Sequence, residues 1–308
     1  MRKFYLFSAA FLLLFSFASA QTVIEKTDIV IKNKQNLIYH ELEASYFNDF
    51  APGENENWDF SDAPETGGIY STNLIAPPST EDFPSATHAR NSMFGFPGIG
   101  YIVPTVTYYE LGDQGFLELG NTHDSTFIPL NGDGSQNAIV SEQVSPFSPE
   151  PLTAFPLPLD YDRVYVQNED TKRAVNMKLN LPPIYSNEDF LYERHYTTAF
   201  SFDGWGTIKL PGFENSVDVL VVKHTNTQID SFFLGGAPAP DALLSNFGLT
   251  QGEETEIETY EFYAKGYPAS VLNLYVRNGL IINAEYYSDE TSGISDKSSA
   301  VHESLIYP

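Results

Sequence analysis

Oxygen-bearing side chains recur in one short stretch at the spacing that calcium loops use. Asn131, Asp133 and Ser135 take the first, third and fifth positions of the run NGDGSQN, and Glu142 takes the twelfth. Calcium prefers oxygen ligands, and an EF-hand loop draws them from these same positions. The sixth position is Gln136 where an EF-hand has glycine, so an ordinary β-turn loop is the alternative interpretation. The sequence offers this one candidate Ca²⁺ site, and no other cofactor is expected.

The sequence motifs of the common hydrolases are absent. None of the six histidines stands in an H-E-x-x-H arrangement, and the chain has no cysteine to act as a nucleophile or a zinc ligand. The run His123-Asp124-Ser125 contains the residue types of a catalytic triad, but triads are assembled in space and not by adjacency. No G-x-S-x-G elbow accompanies it. We therefore predict no catalytic residue from these motifs.

Carboxylates remain as candidates, because glycoside hydrolysis needs only two of them. Among 41 acidic residues, Asp59, Asp203 and the run 253–256 stand out. Asp59 and Asp203 are predicted to lie at turns and bond local backbone amides, and the run to be a solvated cluster. The two tryptophans, Trp58 and Trp205, could stack on sugar rings, but we expect buried positions for both.

The elements that must position these residues are β-strands. The chain has 23 Phe and 19 Tyr, which suit sheet faces, and 21 Gly and 20 Pro that separate short apolar runs. Turns are predicted at 112–114, 203–204 and 278–279, and one short helix at 240–247. We expect an all-β fold, an antiparallel β-sandwich that forms one large or two packed sandwiches, with at most one or two short helices. A proline-rich stretch near 146–160 is the predicted sub-boundary.

The N-terminus has the pattern of a secretory signal peptide. A basic start, a short apolar run and an A-x-A end predict cleavage after residue 20 and a secreted β-rich domain over 21–288. No later apolar run is long enough to cross a bilayer, so no transmembrane segment is expected after cleavage. The net charge of −25 excludes nucleic acid as a partner, because such a surface repels phosphate.

Three segments carry a family resemblance. GENENWDFS (53–61) and DGWGTIKLPGFENSVDVLVVK (203–223) resemble two signatures of secreted Bacteroidota proteins of the type IX secretion cargo kind. YEFYAKGYPASVLNL (260–274) is similar to a third segment of the same proteins, with Phe262 where they have Trp. In the second segment, Trp205 replaces the usual Tyr. The biochemical role of that family is largely undefined, so the resemblance informs fold and localisation more than function.

The polar tail, residues 289–308, resembles the opening of a type IX sorting domain cut short. Its Gly293-Ile294 pair and closing Tyr307-Pro308 stand where such domains begin. The resemblance implies export to the extracellular space or outer cell surface, with the type IX machinery as a partner. If the sorting signal is truly absent, the periplasm is the expected location.

Two classes of function are consistent with these features. The first is a secreted or cell-surface, non-catalytic β-sandwich protein that binds a polysaccharide or a surface component or serves a structural role. The alternative is a carbohydrate-binding module or a carboxylate-dependent glycan hydrolase. A strip of exposed aromatic rings would favour the binding module, and a cleft with two convergent acids would favour the hydrolase.

Overall fold

The computed structural model describes residues 23–288 except 33–34, 79–80, 99, 162–163 and 167–170. The predicted signal peptide and polar tail lie outside these residues. The strands are, in chain order, β1 Gln35–Leu42, β2 Glu54–Asp59, β3 Glu65–Ile75, β4 His88–Gly95, β5 Ile102–Gly112, β6 Gly115–His123, β7 Thr126–Pro129, β8 Asn137–Val140, β9 Gln143–Pro146, β10 Leu152–Pro156, β11 Val164–Val166, β12 Thr171–Leu181, β13 Tyr185–Lys209, β14 Val217–Leu234, β15 Ala237–Pro238, β16 Glu253–Ala264, β17 Leu272–Arg277 and β18 Leu280–Ser288. One short helix, α1 Asp241–Ser245, and 3₁₀ turns at Lys26–Asp28 and Ala44–Phe47 complete the described elements.

The strands confirm the all-β, antiparallel prediction. Neighbouring strands pair in the order β7, β8, β12, β13, β14, β16, β17, β18, β1, β3, β4, β5 and β6. The far side of β6 pairs with β9 and β10, and a backbone bridge joins Ser148, just after β9, to Lys172 on β12. Because this bridge ties the β6 side to the β12 side, the sheet folds over on itself into two facing layers.

Two of the three predicted turns are confirmed. Gly112 pairs with Gly115 to close the β5–β6 hairpin. At the β17–β18 hairpin, Asn278 and Gly279 have φ angles of 52° and 75°, the positive values that a type I′ turn requires.

The short helix lies where its proline predicted it, with Pro240 at the N-cap of α1. No helix among the described residues is long and apolar enough to cross a membrane.

The turn predicted at 203–204 is wrong. β13 runs unbroken through Asp203, Gly204 and Gly206, with only a β-bulge between Phe202 and Gly204. Both positions need glycine because another part of the backbone lies very close to them. A Cβ on Gly206 would lie 2.0 Å from the carbonyl oxygen of Glu56, and a Cβ on Gly204 would also collide with backbone atoms. They let β2 lie directly alongside the end of β13.

β2 makes the one parallel pairing in the described sheet, and it joins two of the sequence signatures. Trp58 is the register partner of Ile208, and the Phe60 N–H donates to the Lys209 carbonyl at 2.8 Å. The third segment contacts the first through Phe262. The Phe262 and Trp58 rings pack edge to face, with their centroids 5.5 Å apart. We call the cluster around these rings the dry core; its buried members are Leu42, Phe47, Trp58, Ala63, Ile208, Leu210, Val219, Val221, Phe262, Ala264, Val271, Leu272, Leu274, Ala284 and Tyr286.

The opposite face of the central strands packs against the β4–β6 layer. Leu220 and Val222 of β14 join one apolar cluster with Phe116 and Phe200. Farther along the same interior, Phe94, Val103, Val140, Val175, Tyr192 and Phe232 belong to a second apolar cluster. The proline-rich stretch 146–160 contributes buried side chains to this interior, and β10 runs along β6. Between the two apolar clusters the lining turns polar.

Candidate functional site

The predicted calcium loop connects β7 to β8, and its oxygens make local hydrogen bonds. Asn131 Oδ1 accepts from the Gln136 N–H at 3.1 Å, and Asp133 Oδ1 accepts from the Ser135 N–H at 2.9 Å. Hydrogen bonds from the Ser135 side chain and from its N–H lower the pKa of the Asp133 carboxyl below its ordinary value. Glu142 is exposed between β8 and β9. The Ca²⁺ site stays a prediction, and a rise in melting temperature at millimolar Ca²⁺ is its test.

The carboxylates singled out in the sequence lie apart in the strand order. Asp59 ends β2 and accepts both the Ser61 N–H at 3.1 Å and the Ser61 hydroxyl at 2.6 Å, which lowers its pKa. Asp203 accepts the Ser201 hydroxyl at 2.8 Å instead of a backbone amide. The run 253–256 begins β16 and is largely exposed, as expected. Local bonds of this kind occupy the Asp59 and Asp203 carboxylates.

His123 and Trp58 are interior residues, and Trp205 is partly buried. His123 is 1% exposed, and neither ring nitrogen has a hydrogen-bond partner among the described residues, so no triad forms around it. Burial, aided by the nearby charge of Arg173, lowers the pKa of His123 to about 4. Trp58 is buried in the dry core, and Trp205 packs half-buried against the cluster that contains Phe200. The expected buried position is therefore confirmed for Trp58, whereas Trp205 is only partly buried.

A cavity of about 230 Å³ opens in the polar part of the interior, between the β4–β6 layer and strands β12–β14. We call it the arginine cavity, because Arg90, Arg173 and Arg194 all line it. The sequence contains six arginines, so half of them lie at one place in a strongly acidic chain. The remaining described lining residues are Phe94, Gly95, Thr107, Glu118, Asn121, Phe147, Leu152, Tyr196, Asn226 and Gln228.

Arg194 is fixed by a bidentate ion pair. Its Nε and Nη2 donate to the two carboxylate oxygens of Asp230 at 2.6 and 2.9 Å, and the Tyr192 hydroxyl donates to the same carboxylate at 2.8 Å. The planar guanidinium matches a carboxylate in this geometry, which makes the pair strong and its orientation rigid. Register partners on β13 and β14 place Arg194 directly opposite Asp230.

Arg173 is held by aromatic rings and by the opposite layer. Its guanidinium carbon lies 5.1 Å from the Phe94 ring centroid and 5.5 Å from that of Phe147. Its Nη1 donates to Asn121 Oδ1 at 2.5 Å and lies 3.8 Å from Glu118 Oε1. These cation–π contacts and the charge-assisted hydrogen bond orient the guanidinium inside the sandwich.

A row of polar side chains crosses the β4–β6 layer beneath the cavity. Arg90, Thr107 and Asn121 are successive register partners on β4, β5 and β6. The Asn121 amide donates to Thr107 Oγ1 at 2.7 Å, and Ser92 shares a hydrogen bond of 2.6 Å with the same hydroxyl. Because Asn121 also accepts from Arg173, this network joins the two layers and holds the cavity wall in place.

A second polar cluster lies on the same face, farther along the sheet. Glu261, Asn273 and Glu285 are successive register partners on β16, β17 and β18. Glu285 accepts from the Tyr275 hydroxyl at 2.6 Å and from the Asn273 amide at 3.0 Å. Burial first, and then the charge of Glu285, raise the pKa of Tyr275 far above its ordinary value, so this hydroxyl remains a donor. We call these residues the carboxylate row.

Sequence reasoning missed both the arginine cavity and the carboxylate row. Their members come from separate strands, and pairing alone brings them together. One signal was present, because residues 224–228 of β14 form a polar run in the middle of a central strand whose two ends are largely apolar. A polar stretch inside a central strand needs partners in the interior.

No protein-family model, curated protein or solved structure gives a match to this chain.

Proposed function

We propose that the chain is a non-catalytic binding protein that holds a small anion in the arginine cavity. The observation that carries this proposal is the presence of Arg90, Arg173 and Arg194 at one cavity in a chain of net charge −25. An acidic surface repels anions at long range, so selection for an anion must come from such close contacts. Guanidinium groups supply these contacts because they donate to carboxylate, sulfate or phosphate in a fixed fork.

The cavity supports binding more than catalysis. Glu118 is the one carboxylate among its described lining residues, and a pair of convergent acids is what glycan hydrolysis needs. Its cationic side chains are held by ion pairs, rings and hydrogen bonds before any ligand arrives. Preorganisation of this kind lowers the entropic cost of binding.

Melting curves of the full chain with sulfate, phosphate, acetate and gluconate, and with neutral glucose, test this proposal. A ligand that binds only the folded state raises the melting temperature. At one hundred times its Kd, it adds about 2.7 kcal/mol to the free energy of unfolding. We expect stabilisation by at least one anion and none by glucose. Arg173→Gln should abolish the shift, whereas Arg277→Gln, at the exposed β17–β18 turn, should retain it. Equal responses from the two variants would contradict the proposal.

Export belongs to the same proposal. The N-terminal pattern and the tail at 289–308 support a secreted or cell-surface location, with the type IX machinery as a partner and a polysaccharide or surface component as the source of ligand. Cell fractionation with an antibody against the mature chain tests it. Recovery of the protein in the cytoplasm would contradict export, and recovery in the periplasm would argue against a working sorting signal.

The carboxylate row favours a second candidate, a carboxylate-dependent glycan hydrolase or carbohydrate-binding module. Glu261 and Glu285 stand two strands apart, which sets their backbones roughly 10 Å from each other, near the carboxyl separation of inverting glycosidases. The Tyr263 hydroxyl donates to Glu261 at 2.7 Å, so both acids have tyrosine partners.

Polysaccharide hydrolysis by the purified chain separates the two candidates. If the row is catalytic, Glu285→Gln should lower the rate by several orders of magnitude, and Glu118→Gln in the arginine cavity should not. Absence of reducing-sugar release from a broad set of acidic and neutral polysaccharides would remove the hydrolase and leave the binding protein.

A further inference from the structure

Two of the cavity arginines oppose each other directly. Arg173 on β12 and Arg194 on β13 are register partners, and the Arg194 side chain is buried. Like charges opposite each other on neighbouring strands are destabilising. Asp230 pairs with Arg194, and Glu118 lies near Arg173 in the opposite layer. An anion placed between the opposed guanidinium groups relieves this repulsion.

The wall formed by β14 has a different chemistry. Asn226 and Gln228 alternate along this strand, line the cavity and are the register partners of Thr198 and Tyr196 on β13. Asn226 Oδ1 is buried and has no hydrogen-bond partner among the described residues. A carboxamide both donates and accepts, and a hydroxyl group does the same. This wall is therefore suited to a ligand with hydroxyl groups.

The size of the cavity limits the ligand further. Its volume of about 230 Å³ lies below the range of roughly 300–1,000 Å³ that is usual for drug-sized ligands. Phe94, Phe147 and Leu152 supply apolar lining beside the polar groups. The occupant is therefore a single small ring or a short chain, with an anionic end and a hydroxylated end.

We infer that the arginine cavity binds a small hydroxycarboxylate of the sugar-acid type. The carboxylate lies against Arg173 and Arg194, and the hydroxyl groups lie against Asn226 and Gln228. This inference rests on the binding function proposed above and names its ligand class. A free sugar acid and the terminal residue of an acidic polysaccharide share this chemistry.

Isothermal titration of the full chain with four probes tests the ligand class: galacturonate, galactose, cyclohexanecarboxylate and trigalacturonate. We expect galacturonate to bind at least about tenfold more tightly than galactose, which lacks the charge, and than cyclohexanecarboxylate, which lacks the hydroxyl groups. Trigalacturonate that binds as tightly as galacturonate identifies a polysaccharide end as the source. Much weaker binding of trigalacturonate identifies the free acid.

Two variants assign the two ends of the ligand. Arg173→Gln should weaken galacturonate at least tenfold, and Asn226→Ala should weaken galacturonate but not cyclohexanecarboxylate. Asn226→Ala removes no charge, so it keeps the test usable if Arg173→Gln does not fold. Arg277→Gln is the matched control and should bind as the wild type does.

The outcomes separate this inference from the function on which it rests. Equal binding of galacturonate and cyclohexanecarboxylate, unaffected by Asn226→Ala, overturns the sugar-acid class and leaves an anion-binding cavity. Equal binding of galacturonate and galactose overturns the role of the arginines and both proposals with it. If all four probes fail while sulfate or phosphate stabilises the chain, only the sugar-acid inference is lost.

Discussion

The dry core and the arginine cavity are built on the two faces of one strand. β14 presents Val219 and Val221 to the dry core, and farther along its other face it presents Asn226 and Gln228 to the cavity. The dry core is apolar and closed by aromatic rings, including Trp58 against Phe262. In the cavity, charges are fixed in place by ion pairs and hydrogen bonds. One face thus supplies stability, and the other holds polar groups whose burial costs free energy.

This difference has a functional meaning. A protein that needed only stability would fill both faces with apolar side chains, because a well-packed hydrophobic replacement for a buried ion pair is often neutral or stabilising. The proposed ligand would account for the polar groups around Arg173 and Arg194, whose burial costs free energy. Segments 53–61, 203–223 and 260–274 each contribute residues to the dry core, and the last of them also carries Glu261 and Asn273 of the carboxylate row.

The largest effect should come from emptying the dry core. Phe262 is fully buried, so Phe262→Ala leaves a cavity and should lower the free energy of unfolding by about 3–5 kcal/mol. Urea denaturation measures this change. Phe127→Ala is the control, since Phe127 is 54% exposed, and it should stay within about 0.5 kcal/mol of the wild type. Anion binding by the folded Phe262→Ala protein should be unchanged, and a weakened affinity would show that the two faces are coupled.

Breaking the Arg194–Asp230 ion pair beside the arginine cavity should lower the free energy of unfolding somewhat less. Asp230→Asn leaves the guanidinium of Arg194 buried beside a neutral amide, and we expect a loss of about 3 kcal/mol in urea denaturation. The double variant Arg194→Met with Asp230→Leu removes both charges and should recover most of this loss. A double variant no more stable than Asp230→Asn would mean that the pair itself stabilises the fold.

Acidic pH should lower the free energy of unfolding through the protonation of His123. The unfolded chain binds a proton near pH 6.5, and the folded chain only near pH 4, so the unfolded state holds more protons between these values. The contribution of neutral His123 to the free energy of unfolding is therefore fully present above about pH 6.5. It is lost as the pH drops toward 4, by up to about 3 kcal/mol.

Urea denaturation of the wild type and His123→Leu from pH 8 to pH 4 measures this contribution. The variant should match the wild type at pH 8, because an apolar side chain replaces a ring without hydrogen-bond partners among the described residues. It should then lose less stability on acidification. Parallel pH profiles for the two proteins would show that His123 is not the responsible group.

A smaller effect is expected where β2 meets β13. Gly206→Ala places a methyl group against the Glu56 backbone and should cost about 1–3 kcal/mol, because β2 must move away. Gly132→Ala is the control, since nothing lies within 4 Å of the point that its new methyl group would occupy and the change should be nearly neutral. Chemical-shift changes confined to Trp58 and its neighbours would confirm displacement of β2, and unchanged stability would contradict the close contact.

Features set by local chemistry were predictable from the sequence. The Asn278-Gly279 turn depends on the φ angles of two residues, and α1 on a proline at its start. The glycines at 204 and 206 misled the prediction, because their reason for being glycine is a strand more than one hundred residues earlier in the chain. Local signals cannot distinguish a turn glycine from one required by close approach.

The arginine cavity was not predictable for a related reason. Arg90, Arg173 and Arg194 have no common spacing, and the register of β4, β12 and β13 alone brings them together. On β13 the residues that face the cavity region are Arg194, Tyr196 and Thr198, and on β14 they are Asn226, Gln228 and Asp230. Each strand alone therefore shows only half of this alternating polar surface. Only the pairing of β13 with β14 shows that both halves face the same interior.

The pairing of β1 with β18 has a consequence for how this chain folds. Ile38 is the register partner of Ser288, so the first and last strands of the described sheet are neighbours. Such a pairing closes a loop of nearly the whole domain, and sheets rich in distant pairings fold slowly, over milliseconds to seconds. Until β18 is available, β1 and β17 each lack one neighbour. A chain shortened before residue 280 would therefore present two unpaired strand edges, the structural condition that favours aggregation.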